Sequence, residues 1–270
     1  MPGVYSDDFF AEGPDEPEEP DLRADQPSWW RTRPRLPGKP GSFWRELPVL
    51  VLVALVLSFT VQTFLARVYV IPSESMEPTL HGCTGCSNDR ILVDKVSYRF
   101  TDPRAGDVVV FRGPDNWTSD FTTARSANVL LGGLQQLGAV VGLAPPDERD
   151  FVKRIIATGG QTVQCCDEQG RVLVDNQPLT EPYVVNDFPF LTGQQSCTTA
   201  LRSGRCFDPV TVPAGGLWVM GDNRSNSADS RRHGPVPVSD VIGKARLIVL
   251  PVSRWQVVNA PHLSAAPGPH

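Results

Sequence analysis

The stretch LPVLVLVALVLSFTVQTFLA, residues 47–66, carries no charge and is bounded by Glu46 and Arg67. Twenty residues at about 1.5 Å rise each make a helix of about 30 Å, the thickness of a bilayer's hydrocarbon core. A buried helix of a globular domain would need helical partners, and nothing downstream has their pattern. A cleaved signal peptide does not fit either: the run is too long, it starts well into the chain, and no A-x-A site closes it. The residues therefore predict one transmembrane helix over 47–66. Just before it, Arg31, Arg33, Arg35, Lys39 and Arg45 stand against Glu46 alone. This positive flank puts the N-terminus in the cytoplasm and everything after residue 67 outside.

Outward from the span, residues 1–25 hold nine acids and one Arg23. Such a segment buries too little apolar surface to order itself, so 1–46 reads as a disordered cytoplasmic segment, acidic and then basic. Downstream, residues 67–255 read as a β-rich extracytoplasmic domain. Short β-branched runs recur at 67–72, 90–95, 107–111, 151–156, 171–174, 217–220 and 245–250, punctuated by Gly, Pro, Asp and Asn. The fold class expected is thus mostly β behind a single N-terminal transmembrane helix. Residues 114–149 interrupt the strands as an insertion. Its apolar part, 127–144, is read as a short surface or interfacial helix rather than a second span, since it contains Gln135, Gln136 and four glycines. Residues 256–270 read as a flexible tail.

The 25 basic residues against 30 acidic ones give a net charge of -5, which excludes a general nucleic-acid binder. All six cysteines (Cys83, Cys86, Cys165, Cys166, Cys197, Cys206) follow the span, where thiols oxidise, and their even number fits disulfides. Cys197 and Cys206 flank a short polar loop and make the easiest closure; the other pairings stay open. A zinc site from Cys83, Cys86, Cys165 and Cys166 is the alternative, weakened because adjacent cysteines ligate one tetrahedral ion poorly.

Three segments could carry chemistry. After the span, Ser73 and Ser75 lie two apart in the turn IPSESMEPTL, residues 71–80. A serine hydroxyl is a weak nucleophile without a base. Of the four histidines, His262 and His270 lie in the tail, His81 reads as a surface residue, and His233 follows two arginines. A Ser-His-Asp triad therefore has little support. Lysine is scarce (Lys39, Lys95, Lys153 and Lys244), and Lys153 alternates with Phe151 and Ile155 on one strand face. Burial there would favour the neutral amine and make it a base. Arg154, on the opposite face, reads as a surface or ion-pair cation, and Lys95 as an ordinary charged position. In GDNRSNSADSR, residues 221–231, Ser227, Asp229 and Arg231 are spaced to share one side of an extended segment. Asp229 and Arg231 could pair and lock the loop, leaving Ser227 to accept a hydrogen bond from the lysine.

Together these segments resemble the bacterial type I signal peptidases, membrane-anchored Ser/Lys proteases. The resemblance covers 47–250 and rests on PSESMEPT (72–79), GDVVVF (106–111), FVKR (151–154) and the 221–231 block, all in order. It implies a partly barrel-like protease domain, with Ser75 as nucleophile and Lys153 as general base. It implies Ser73 as an oxyanion-hole donor, with Ser227, Asp229 and Arg231 in support. It also implies Ile71, Pro72, Met76, Leu80, Phe151 and Val152 as the walls of apolar subsites for small side chains. The chain departs from the family pattern at Glu74, where glycine is common, and at Ser225, where aspartate is often found.

The resemblance further implies a serine endopeptidase of the cell membrane that needs neither cofactor nor metal. Its expected partners are exported preproteins, membrane lipid and the secretion translocon, with no nucleic acid. Topology agrees, because Ser75 lies nine residues past Ala66 and an extended chain of that length reaches about 30 Å at most. Two other readings stand beside it. A self-cleaving Ser/Lys repressor-type protease would lack the anchor. A non-enzymatic, disulfide-stapled envelope binding module would explain anchor, strands and cysteines, but not the four blocks.

Overall fold

The computed structural model describes residues 43–83, 85–117, 150–199, 201–261 and 263. The acidic 1–25 segment, the surface helix expected in 127–144, most of the 114–149 insertion and the end of the tail lie outside them. Helix α1 runs Phe43–Phe64. It starts before residue 47 because Arg45 and Glu46 are good helix formers; the charge-free window measures the apolar span, not the helix. Over Trp44–Leu65 the mean hydropathy is 2.2 and none of the window is buried, so this one helix is long and apolar enough to cross a membrane.

A seven-strand path follows, in the order β1 (Ala66–Val70), β2 (Arg90–Asp94), β11 (Val241–Leu250), β3 (Val108–Arg112), β4 (Asp150–Thr158), β9 (Gly216–Met220), β10 (Val236–Pro237). Strand β12 (Gln256–Val257) joins β11 off this path, and Val258 beyond it is buried, so ordered structure continues past residue 255. A second sheet orders β7 (Gln177–Pro178), β6 (Val172–Val174), β5 (Thr162–Cys165) and β8 (Phe207–Thr211).

Among the described residues neither sheet closes, which corrects the barrel-like expectation. β10 pairs with β9 over only two residues, one of them Pro237. Proline has no N–H to offer a further strand, so the sheet ends there as an open edge. The opposite edge is β1, paired to β2 from Ala66↔Asp94 to Val70↔Arg90.

All seven expected strands are present, with ends shifted by a residue or two and β11 beginning earlier, at Val241. Strands β5 and β8 had no clear signal: TVQC is too short to show alternation, and Pro209 interrupts FDPVT. The large sheet is covered on both faces. Along β3, Val108 and Val110 enter one cluster with Tyr69, Ile71, Met76, Leu80, Ile91 and Ile248. Val109 and Phe111 enter the other, with Trp117, Ile155, Leu217 and Val219. Burial on both faces is why this strand reads as an unbroken apolar run rather than an alternation.

Candidate active site

The site forms where three chain segments meet at the sheet. β1 ends at Val70, and the chain turns through a single 3-10 turn, Glu74–Met76, that carries Ser75. β4 carries Lys153, opposite Val109 of β3. β9 lies on the other side of β4, with Met220 opposite Arg154, so the chain leaves β9 at Gly221 next to Lys153.

Lys153 is buried, and its Nζ donates to Ser75 Oγ at 2.6 Å. Ser73 Oγ lies 3.3 Å from Ser75 Oγ. Burial brings the Lys153 amine down from 10.5 to about 8; the nearby carboxylates of Asp229 and Asp222 oppose that fall, and Arg231 adds to it. At neutral to alkaline pH the amine is thus neutral often enough to take a proton from the serine it touches.

The Asp229–Arg231 pair forms as expected: Arg231 Nε and Nη2 donate to the two Asp229 oxygens at 2.8 Å each. Asp229 is fully buried. Burial alone would raise its pKa, but Arg231 and the donors Gly221 N–H and Ser227 Oγ outweigh that and hold it below the usual carboxylate range. Ser227 differs from expectation. Its Oγ donates to Asp229 Oδ2 at 2.8 Å, while the lysine donates to Ser75. The carboxylate is charged and fixed, and so is the stronger acceptor for this hydroxyl.

Arg154 is an ion-pair cation, as its alternation suggested, but not at the surface. It is 1% exposed and makes a two-toothed pair with Asp222, at 2.9 and 2.7 Å. Its guanidinium also lies 4.1 Å from the Tyr183 ring centroid. Lys95, read as an ordinary charged position, has a definite bracing role: its Nζ donates to the carbonyls of Gln62 and Thr63 at the end of α1. His81 is half-exposed and pairs with Glu77. Of the expected subsite residues, Ile71, Met76 and Leu80 are core side chains of one cluster, with Val152 packed against it. Pro72 is exposed, and Phe151 is half-buried against Phe111 and Trp117.

Three residues of the site had no signal in the sequence beyond lying in a polar block. Asn223 N–H donates to Ser75 O at 3.1 Å, and its side-chain amide donates to Glu74 O at 3.0 Å, so it holds the serine turn by its backbone. Asp222 receives Arg154 and also the Thr79 hydroxyl. At Gly221 a Cβ would stand 2.3 Å from Ser227 Oγ and 2.4 Å from Ser75 O. A side chain there would push the serine turn off the lysine. Gly221→Ala is expected to lower turnover roughly 100-fold, the scale of a misplacement of about 1 Å. Steady-state kinetics would check it, and turnover within a factor of three of wild type would refute the steric role.

The sequence matches the family described as signal peptidase, peptidase S26, over residues 44–250. The chain belongs to that family. It is 52% identical over 227 residues to a signal peptidase I of Mycobacterium tuberculosis (strain ATCC 25618 / H37Rv), covering 80% of this chain and 76% of that protein. It is 48% identical over 237 residues to a probable signal peptidase I of Mycobacterium leprae (strain TN), with 81% and 80% covered. A probable signal peptidase I-1 of Synechocystis is 38% identical over 216 residues, with 80% and 87% covered.

Proposed function

We propose that the protein is a serine endopeptidase that removes N-terminal signal peptides from exported preproteins, with Ser75 as nucleophile and Lys153 as general base. The observation that carries this reading is the 2.6 Å contact between a buried lysine and the serine hydroxyl. The neutral amine takes the Ser75 proton as Oγ attacks the scissile carbonyl. The resulting oxyanion is received by the Ser73 hydroxyl and the Ser75 backbone N–H. The ammonium of Lys153 then protonates the leaving amine, and water hydrolyses the acyl-enzyme. Asp229, held by Arg231 and Ser227, keeps a negative charge near the ammonium.

The scissile segment docks extended along β1, whose pairing among the described residues is to β2 on one side only. Strand addition of this kind supplies backbone hydrogen bonds, and small side chains at the first and third positions before the cut meet the apolar walls. Pro72, Phe151 and Val152 are the accessible part of those walls, with the buried Ile71, Met76 and Leu80 forming the core behind them. Helix α1 anchors the enzyme as a single pass with its N-terminus cytoplasmic, which sets the catalytic domain at the outer membrane face beside lipid and translocon. The envelope-binding-module reading is not favoured, because it gives the buried Lys153–Ser75 contact no purpose.

The test is cleavage of a preprotein carrying an A-x-A site by the full-length protein in detergent, beside Ser75→Ala. Wild type is expected to cut after the second alanine, and the variant is expected to fall to background. A wild-type protein that leaves the preprotein intact would overturn the reading.

A further inference from the structure

The loop after the serine turn holds a second cluster that the proteolytic reading does not use. Ring nitrogen of His81 and the sulfurs of Cys83 and Cys86 all lie within 4.8 Å of one another. The three residues follow an H-x-C-x-x-C spacing. A separate group, Cys166, Cys197 and Cys206, gathers elsewhere, so the cysteines do not form the single four-cysteine zinc site weighed from the sequence. In the structure they pair as Cys83–Cys86, Cys165–Cys166 and Cys197–Cys206.

We propose that when the Cys83–Cys86 disulfide is reduced, this loop binds one zinc ion through Cys83, Cys86 and His81. Around a tetrahedral zinc, sulfurs at about 2.3 Å from the metal stand about 3.8 Å apart, a separation that the two sulfurs can take only once the bond between them is reduced. The loop is closed at its base, independently of the disulfide. His81 N–H donates to Asp89 Oδ2 at 2.7 Å, Asp89 N–H donates to His81 O at 2.8 Å, and Arg254 grips the same carboxylate. At the tip, Asn88 Oδ1 accepts from Cys83 N–H at 2.9 Å, and Gly85 takes the positive φ of 84° that the turn between the cysteines requires. Reduction therefore frees two thiols without releasing the frame that holds them.

The second observation is Glu77, whose carboxylate meets His81 Nδ1. A carboxylate on one ring nitrogen fixes the proton there and leaves the Nε2 lone pair to ligate, the usual support of a zinc-bound histidine. The steps balance. A dithiol gives two electrons and two protons to the Cys83–Cys86 bond and is itself oxidised to a disulfide. Zinc then displaces the two thiol protons, forming two Zn–S bonds and one Zn–N bond, with water in the fourth position. Disulfide and zinc are mutually exclusive states of one loop, tied to the end of β1 by the hydrogen bond from Ile71 N–H to Asp89 O.

The test uses full-length protein in detergent with Cys165, Cys166, Cys197 and Cys206 changed to Ser, reduced with a phosphine, desalted without oxygen, and titrated with Zn2+ against a chromogenic chelator. One equivalent is expected to bind after reduction and none before it. His81→Ala and Glu77→Gln are expected to weaken binding roughly 10- to 100-fold. Cobalt in place of zinc should give a thiolate charge-transfer band. If the fourfold variant does not fold, the same titration of the wild-type chain should exceed that of Cys83→Ser/Cys86→Ser by one equivalent. Reduced protein that binds no more zinc than the Cys83/Cys86 variant, or that binds equally well without His81, would overturn the proposal.

Discussion

Lys153→Ala lowers kcat/KM for preprotein cleavage about 1,000-fold or more, the scale of losing a general base, and Lys153→Arg does not restore it. A guanidinium stays protonated at any pH at which the protein is folded, so it cannot accept the serine proton. In the wild type, activity rises with pH through about 8, because below that value the amine is charged and holds its proton. A pH profile of kcat/KM that peaks near pH 5 would contradict a lysine base. The same burial costs stability. In the unfolded chain the amine keeps its proton up to about 10.5, in the folded one only to about 8. The gap corresponds to about 3 kcal/mol. Below pH 8 this penalty is fully present; between 8 and 10.5 the unfolded state binds more protons, so stability rises with pH. Lys153→Met should therefore be inactive yet harder to unfold in urea at pH 7, with its advantage shrinking toward pH 10.5. Equal urea midpoints for the two proteins at pH 7 would show that the lysine is not held at a cost.

Asp222→Ala is expected to destabilise the domain by about 3–5 kcal/mol, because it leaves the Arg154 charge buried and uncompensated. Asp222 and Arg154 are 0% and 1% exposed. Arg154 also donates to the carbonyls of Gly106 and Asn259, and Asp222 receives Thr79, so the pair joins β4, the serine turn, the 221–231 loop and the C-terminal segment. In a domain of this size the loss should lower Tm by roughly 10 °C. Asp222→Leu with Arg154→Met should recover most of it, since an apolar pair leaves no charge stranded. A single Asp222→Ala variant that unfolds within about 1 kcal/mol of wild type would refute the account.

What the residues disclosed depended on how local each signal was. The apolar helix and the β-branched strands could be read directly, because each carries its pattern within its own length. Lys153 could be singled out because lysine is scarce and this one shares a face with Phe151 and Ile155. The turn around Ser75 was weak by itself and gained meaning only in order with the other three blocks. The fate of Arg154 was not legible: alternation assigns it to the other face of β4 but cannot say that this face is covered too. Gly221 and Asn223 were invisible as site residues, since their work is to approach a backbone turn nearly 150 positions earlier. Nor could the open sheet be foreseen, because closure depends on what the two edges meet.

One residue, Leu65, separates the end of α1 from the start of β1, and Lys95 fastens that junction by giving its N–H to Leu65 O and its ammonium to Gln62 O and Thr63 O. A joint this short and this braced leaves little room to swivel. The strand that leads to Ser75 inherits its heading from the last turns of the helix; with α1 set across the membrane as proposed, that would give the working face one altitude above the lipid. On that proposed placement, chains tethered in the same sheet of lipid would meet the enzyme at matching height, whereas a peptide free in solution would find that height only by chance.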